Sequence, residues 1–155
     1  PQGKLIVRIK GPTKKTGVKV IVRQNGKAIT LNVQEMQEIQ RYIVGNYDVE
    51  ILTLPRIYYD NLSINQSENK YIDIPGSGLV KYQAYKPIVA QVFVESETGE
   101  YVWVCDLDEN KLKGQLFLQP GKYKLVYRAT SAVSTDYTQT KSFMVLSGGV
   151  VSITL

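Results

Sequence analysis

The run Asp106-Leu107-Asp108-Glu109-Asn110 gathers three carboxylates and an amide within five residues. Calcium takes oxygen ligands of this kind when a loop clusters them. An EF-hand loop also needs Gly at its sixth position and Glu at its twelfth. Counted from Asp106, those places hold Lys111 and Phe117, so a solvated loop without a metal is the expectation. Tyr58-Tyr59-Asp60, followed by Asn61, joins aromatic rings to a carboxylate and an amide. Sugars stack on such rings and hydrogen-bond to such oxygens, and loop aromatics also suit protein contacts. Read structurally, the same tyrosines cap the core or pack against a neighbouring domain. Tyr101 and Trp103 stand two residues apart, so on a strand they share a face, with Cys105 beside them. Val102 and Val104 share the opposite face. Outward aromatics would form a binding strip. Inward aromatics would make Trp103 a core anchor, and this second arrangement is expected.

Other chemistries lack their parts. The chain holds no His and one Cys. A nucleophilic Cys ordinarily needs a His base, and the Ser-His-Asp triad and the commonest zinc ligand are missing too. No disulfide can form within the chain, and Cys105 in its strand-like run reads as a buried, inert thiol. A two-carboxylate glycosidase needs only paired Asp or Glu, but small size and internal repetition weigh against it. No enzyme activity and no cofactor are expected. The 19 basic and 14 acidic residues give a net charge of +5. The basic residues are scattered, apart from Lys14-Lys15 and the pair Lys111 and Lys113, so no stripe for nucleic acid is formed. No run is long and apolar enough to enter a membrane. Asn61-Leu62-Ser63 matches a glycosylation sequon, expected to be inert in a bacterium. The chain opens at Pro1 without a methionine and is expected to be a segment of a longer protein.

Strands must position these groups. Leu5 to Ile9, Val18 to Val22 and Ala28 to Leu31 alternate or are β-branched, and Asn25-Gly26 predicts a type I′ hairpin turn. Asn32 to Arg41 has Met36, Ile39 and Ile43 at helical spacing but also suits a strand pair; a loop or short helical turn is favoured. The counterpart, Asp106 to Gln115, is read in the same way. Tyr47 to Leu54 is a strand, and Tyr58 to Ser63 a loop. Pro75-Gly76-Ser77-Gly78 reads as a linker. Beyond it, Ile88 to Val94, Tyr101 to Cys105, Lys122 to Arg128, Ser142 to Leu146 and Val150 to Leu155 alternate, with Pro120-Gly121 predicting a type II turn. The runs Ile88 to Val94 and Lys122 to Arg128 would recruit partner strands if they formed open edges.

The two halves repeat one element. Gly45-Asn46-Tyr47 and Gly121-Lys122-Tyr123 each open an alternating strand, follow a candidate hairpin (Gln24 to Lys27, Glu97 to Glu100) and precede a closing strand. Pro120-Gly121-Lys122-Tyr123-Lys124-Leu125, followed by Lys141-Ser142-Phe143 and Gly149 to Ile153, resembles the transthyretin-like or carboxypeptidase-regulatory-like sandwich, and PEGA-type domains share its element. The tandem form resembles the C-terminal region of von Willebrand factor A-containing proteins of Bacteroidetes. The first half departs from the pattern, with Val44-Gly45-Asn46 in place of Pro120-Gly121-Lys122.

The expected fold is all-β, two tandem small Ig-like or transthyretin-like β-sandwich domains spanning 1–75 and 78–155. The resemblance implies a noncatalytic structural or protein-interaction module of a larger bacterial cell-envelope protein, periplasmic or at the cell surface. Its partner would be a protein or the rest of the parent chain. The alternative is a carbohydrate-binding module taking a glycan on Tyr58, Tyr59, Asp60, Tyr101 and Trp103. Neither nucleic acid nor direct membrane insertion is expected.

Overall fold

The computed structural model describes residues 1–132 and 137–155. The chain divides into two compact units, Pro1–Gly76 and Ser77–Leu155. Each unit is sandwich-like and all-β, as its alternating sequence predicts.

Unit 1 holds β1 (Gln2–Lys10), β2 (Lys19–Gln24), β3 (Thr30–Glu35), β4 (Gln40–Ile43), β5 (Gly45–Ile51), β6 (Ile57–Ile64) and β7 (Asn69–Pro75). They form two sheets, ordered β4-β1-β7 and β3-β2-β5-β6. The β1–β7 pair is parallel and the other pairs of the unit are antiparallel. Val20 and Val22 point inward while Lys19, Ile21 and Arg23 point out, the period of two that a half-buried strand requires. Leu5, Val7, Ile72 and Ile74 from one sheet meet Val20, Val22, Val49 and Ile51 from the other in a single core. Burying each such side chain contributes about 1.5–3 kcal/mol.

Unit 2 holds β8 (Gly78–Gln83), β9 (Ile88–Glu95), β10 (Tyr101–Asp106), β11 (Lys113–Leu118), β12 (Gly121–Ala129), β13 (Gln139–Val145) and β14 (Val150–Thr154). Its sheets are ordered β11-β8-β14 and β10-β9-β12-β13, with β8 and β14 parallel. This is the strand order of unit 1 with every number raised by seven. Tyr123, Leu125 and Tyr127 of β12 are buried with Val80, Val92, Leu118 and Val145.

The repeated Gly-x-Tyr element now has a physical basis. The Tyr47 hydroxyl donates to the Ile43 carbonyl at 2.5 Å, and the Tyr123 hydroxyl donates to the Gln119 carbonyl at 2.5 Å. Both bonds reach four residues upstream, the geometry of a tyrosine corner. The ring passes over the glycine, so a Cβ on Gly45 would lie 3.8 Å from the Tyr47 ring and one on Gly121 3.5 Å from that of Tyr123.

Several local expectations are corrected. Gly121 begins β12 paired with Val145 and is not among the positive-φ glycines, so Pro120-Gly121 is not the predicted type II turn. Only Gly26 has positive φ in the first hairpin, which excludes type I′ there. Asn32 to Arg41 is neither loop nor helix: it is the end of β3, a turn, and the start of β4. Gln37 adopts positive φ in that turn and its N–H donates to the Val7 carbonyl at 2.7 Å, so a tertiary bond overrides the helical spacing. The buried Gln34 side chain, which accepts the Tyr42 hydroxyl and donates to the Leu5 carbonyl, ties the two sheets together at the same place. The boundary between the units does fall within Pro75-Gly76-Ser77-Gly78, between Gly76 and Ser77, but Pro75 and Gly78 themselves lie in paired strands. The runs Ile88 to Val94 and Lys122 to Arg128 form β9 and β12, each paired on both sides, so neither is an open edge.

Candidate functional site

Tyr58 to Ser63 belongs to β6 instead of a loop. Alternate residues of a strand face opposite ways, so Tyr59 packs against the unit 1 core while Tyr58 and Asp60 stay exposed. The three therefore form no cluster. The strand extends through this run because Asp48 secures an irregularity in it. The Asp48 carboxylate accepts the backbone N–H of Asn61 at 3.0 Å, that of Gly26 at 3.0 Å, and the Asn25 amide at 2.9 Å. The Asn61 bond leads in holding this carboxyl below its usual range. Unit 1's outer sheet face carries a second fixed charge group. Glu50 accepts Arg23 at 2.8 Å and Arg56 at 2.5 Å, and its pKa is lowered, chiefly by the Arg23 hydrogen bond.

Trp103 is not the core anchor expected of it. It is 54% exposed, and Tyr101 is 36% exposed. The reason is register. Val94, opposite buried Tyr123, faces inward and pairs with Val102, which the edge position of β10 leaves 53% exposed; the intervening Phe93 faces out and pairs with Trp103. Val104 is buried beyond a bulge between Trp103 and Cys105. Cys105 is half-buried, and burial pushes its thiol up to about 11, which agrees with an unreactive thiol.

One row crosses four strands of this outer face: Trp103, Phe93, Lys124 and Ser142. Lys124 Nζ lies 4.1 Å from the centre of the Tyr101 ring, a cation–π contact. The indole N–H of Trp103 donates to Asp106 Oδ1 at 2.9 Å and fixes the orientation of the ring. Asp106 is thereby engaged, and Asp108 accepts the Asn110 N–H at 3.0 Å. Among the described residues no group of three His, Cys, Asp or Glu is placed to hold a metal ion. Phe93 and Lys124 were missed in the sequence reading, although the alternation Lys122-Tyr123-Lys124-Leu125 places both lysines outward once Tyr123 is known to be buried.

A second exposed surface lies on unit 1. Ile29, Leu31 and Val33 alternate along β3 and its approach and are 78%, 55% and 52% exposed. β3 is the edge of its sheet, and β4 is the edge of the other. The two edges adjoin, because Tyr42 of β4 bonds to Gln34 and Asn32 of β3. Ile39, Ile43 and Val44 around β4 are exposed as well.

No family model and no curated protein matches the chain. Among solved structures it is similar to the Bacillus anthracis TIE protein, at 13% identity and TM-score 0.36, over 99% of this chain and 33% of that one. The chain thus spans about a third of that protein's length. It is also similar to a minor pilin of the Gram-positive pathogen Streptococcus agalactiae, at 13% identity and TM-score 0.39, over 99% and 94% of the two chains. A candidate adhesin from Bacteroides ovatus is similar at 14% identity and TM-score 0.38, over 93% and 83%.

Proposed function

We propose that the chain is a noncatalytic protein-interaction module of a larger bacterial cell-envelope protein, built as a tandem repeat of sandwiches over 1–75 and 78–155 and held at the cell surface or in the periplasm. The shared strand order and the paired tyrosine corners support the repeat. The observation that carries the interaction role is the aliphatic side of unit 1, where six exposed residues flank two adjoining strand edges. Exposed apolar patches mark interaction surfaces. An extended partner segment can add to an open edge through backbone hydrogen bonds while its side chains cover alternate apolar residues. β3 offers both features, with Leu31 and Val33 as the contacts.

The test is site-specific photo-crosslinking in the cells that make the protein. A benzophenone amino acid at Leu31 should give a covalent protein adduct, whereas one at Lys81, on unit 2, should not. Val33→Lys should remove the adduct, with stability changed by less than about 0.5 kcal/mol because the position is exposed. No adduct at Leu31, or an equal one in the Val33→Lys protein, would overturn the reading.

A glycan-binding role is the second reading, favoured by the exposed and oriented ring of Trp103. It narrows to Tyr101 and Trp103, because Tyr58 and Tyr59 lie on opposite faces of β6.

A further inference from the structure

The cations of the two units are deployed differently. In unit 1, Arg8 is paired with Asp73, Lys19 with Glu35, and both Arg23 and Arg56 with Glu50. Lys122, Lys124 and Arg128 of β12 also face outward, alternating with buried Tyr123, Leu125 and Tyr127. None of the three has an ion-pair partner among the described residues. Lys124 and Arg128 are four residues apart, about 13 Å along the strand. The cationic column runs beside the aromatic one, since Lys124 is in register with Phe93 and Phe93 with Trp103. A shallow recess of about 310 Å³, lined in part by Val89, Gln91, Val126 and Arg128, continues the same face.

From this arrangement we infer that the outer face of β10, β9 and β12 binds an acidic glycan, a chain of sugars carrying carboxylate or sulfate groups. The inference rests on the glycan reading above and specifies its ligand class. Pyranose rings present apolar C–H faces, which suit Trp103 and Phe93, while the Tyr101 ring holds the Lys124 ammonium beside them. Their hydroxyls need acceptors and amides, and Glu95 (opposite Tyr101), Asp106 and Gln91 supply them at the margins of the strip. The acidic groups then meet Lys122, Lys124 and Arg128. The same margins disfavour nucleic acid. A single strand carries a charge on every nucleotide and calls for a dense basic track, whereas unit 2 has 8 basic and 7 acidic residues. Glu95 and Asp106 would repel such a strand, while an acidic glycan in which charged and neutral sugars alternate, as in hyaluronan, lays its neutral sugars against them.

Trp103 is the chain's one tryptophan, so its fluorescence reports on this face. The full chain is titrated with oligogalacturonate, hyaluronan and chondroitin sulfate oligosaccharides, with fully methyl-esterified oligogalacturonate as the uncharged control, and with oligo(dT). At least one acidic glycan should shift the Trp103 emission and bind tenfold or more tightly than the ester. That affinity should fall tenfold or more in Lys124→Ala and with added salt. Calorimetry on Trp103→Ala, its fold checked by circular dichroism, should show the binding lost. Equal binding of the ester would overturn the acidic assignment and leave the glycan reading standing. No binding across the whole panel would overturn both. Tighter binding of oligo(dT) than of any glycan would replace the inference with a single-strand nucleic-acid site.

Discussion

Tyr47 and Tyr123 each direct a phenol hydroxyl to a carbonyl four residues upstream, but their surroundings differ. The Tyr123 bond is buried and its ring stacks on Phe143 with centroids 5.6 Å apart, while the Tyr47 bond is only part-buried. Burial raises the pKa of both phenols. Removing a hydroxyl that satisfies a buried acceptor costs about 1–3 kcal/mol. Tyr123→Phe should therefore lower stability by about 1–3 kcal/mol and Tyr47→Phe by less, as read from urea unfolding of each variant. No loss in Tyr123→Phe would show that the corner does not stabilise the fold, and equal losses would show that the difference in burial does not set its contribution. The tyrosines and glycines of this element were legible in the sequence because they occur twice at the same offset. Their role was not, since nothing in Gly121-Lys122-Tyr123 says that the hydroxyl turns back to Gln119. The glycine was consequently read as a turn residue when it lies beneath an aromatic ring. The exposure of Trp103 escapes the sequence for a related reason: period two shows which residues share a face, and only the pairing of Val94 with buried Tyr123 shows which face is inside.

Strands, as elements, were the most legible part of the chain. Alternation marked β2, β5, β9, β10 and β12, whereas β4 and β6 were obscured by helical spacing and by polar loop-like residues. Those two are edge strands, with fewer buried positions to leave a period. The junction of β7 and β8 shows the limit of composition as a guide. Pro75-Gly76-Ser77-Gly78 has the composition of a flexible joint, but a Cβ on Gly76 would lie 2.0 Å from the Pro12 carbonyl oxygen. One on Gly78 would lie 2.5 Å from Val145 Cγ1 and 2.6 Å from the Leu146 carbonyl oxygen. Close approach, and not pliancy, selects glycine at both positions. In a free linker, Gly→Ala is neutral or stabilises by about 0.4–1 kcal/mol through the unfolded chain. Gly76→Ala and Gly78→Ala should each destabilise instead, by about 1–3 kcal/mol as overpacking does. A thermal melt decides the sign, and an unchanged or raised midpoint would restore the linker reading.

Across the whole molecule, charge is distributed unevenly. Among the described residues, the carboxylates held below their ordinary range, Asp48, Glu50 and Asp73, all lie in unit 1. The leading cause is the Asn61 N–H for Asp48, Arg23 for Glu50 and Arg8 for Asp73. A carboxyl whose folded pKa is depressed contributes its stabilisation above the unfolded value, about 4 to 4.5, and loses it as pH falls through the folded value. Unit 1 should therefore give way first on acidification. Amide NMR spectra recorded from about pH 5 to about pH 2 should show unit 1 signals losing their dispersion before those of unit 2. Simultaneous loss, or earlier loss in unit 2, would contradict the assignment.

In unit 1 the first strand and the last run parallel in register from Lys4 opposite Asn69 to Lys10 opposite Pro75, and in unit 2 from Leu79 opposite Val150 to Gln83 opposite Thr154. The polypeptide thus enters each unit at one end of this seam and departs at the other. Tension applied to the two ends of a unit acts along the strands, so the seam is sheared and its hydrogen bonds must yield together. A hairpin pulled at its two ends would instead unzip one bond at a time. The parallel seam makes each unit resist stretching along the chain direction.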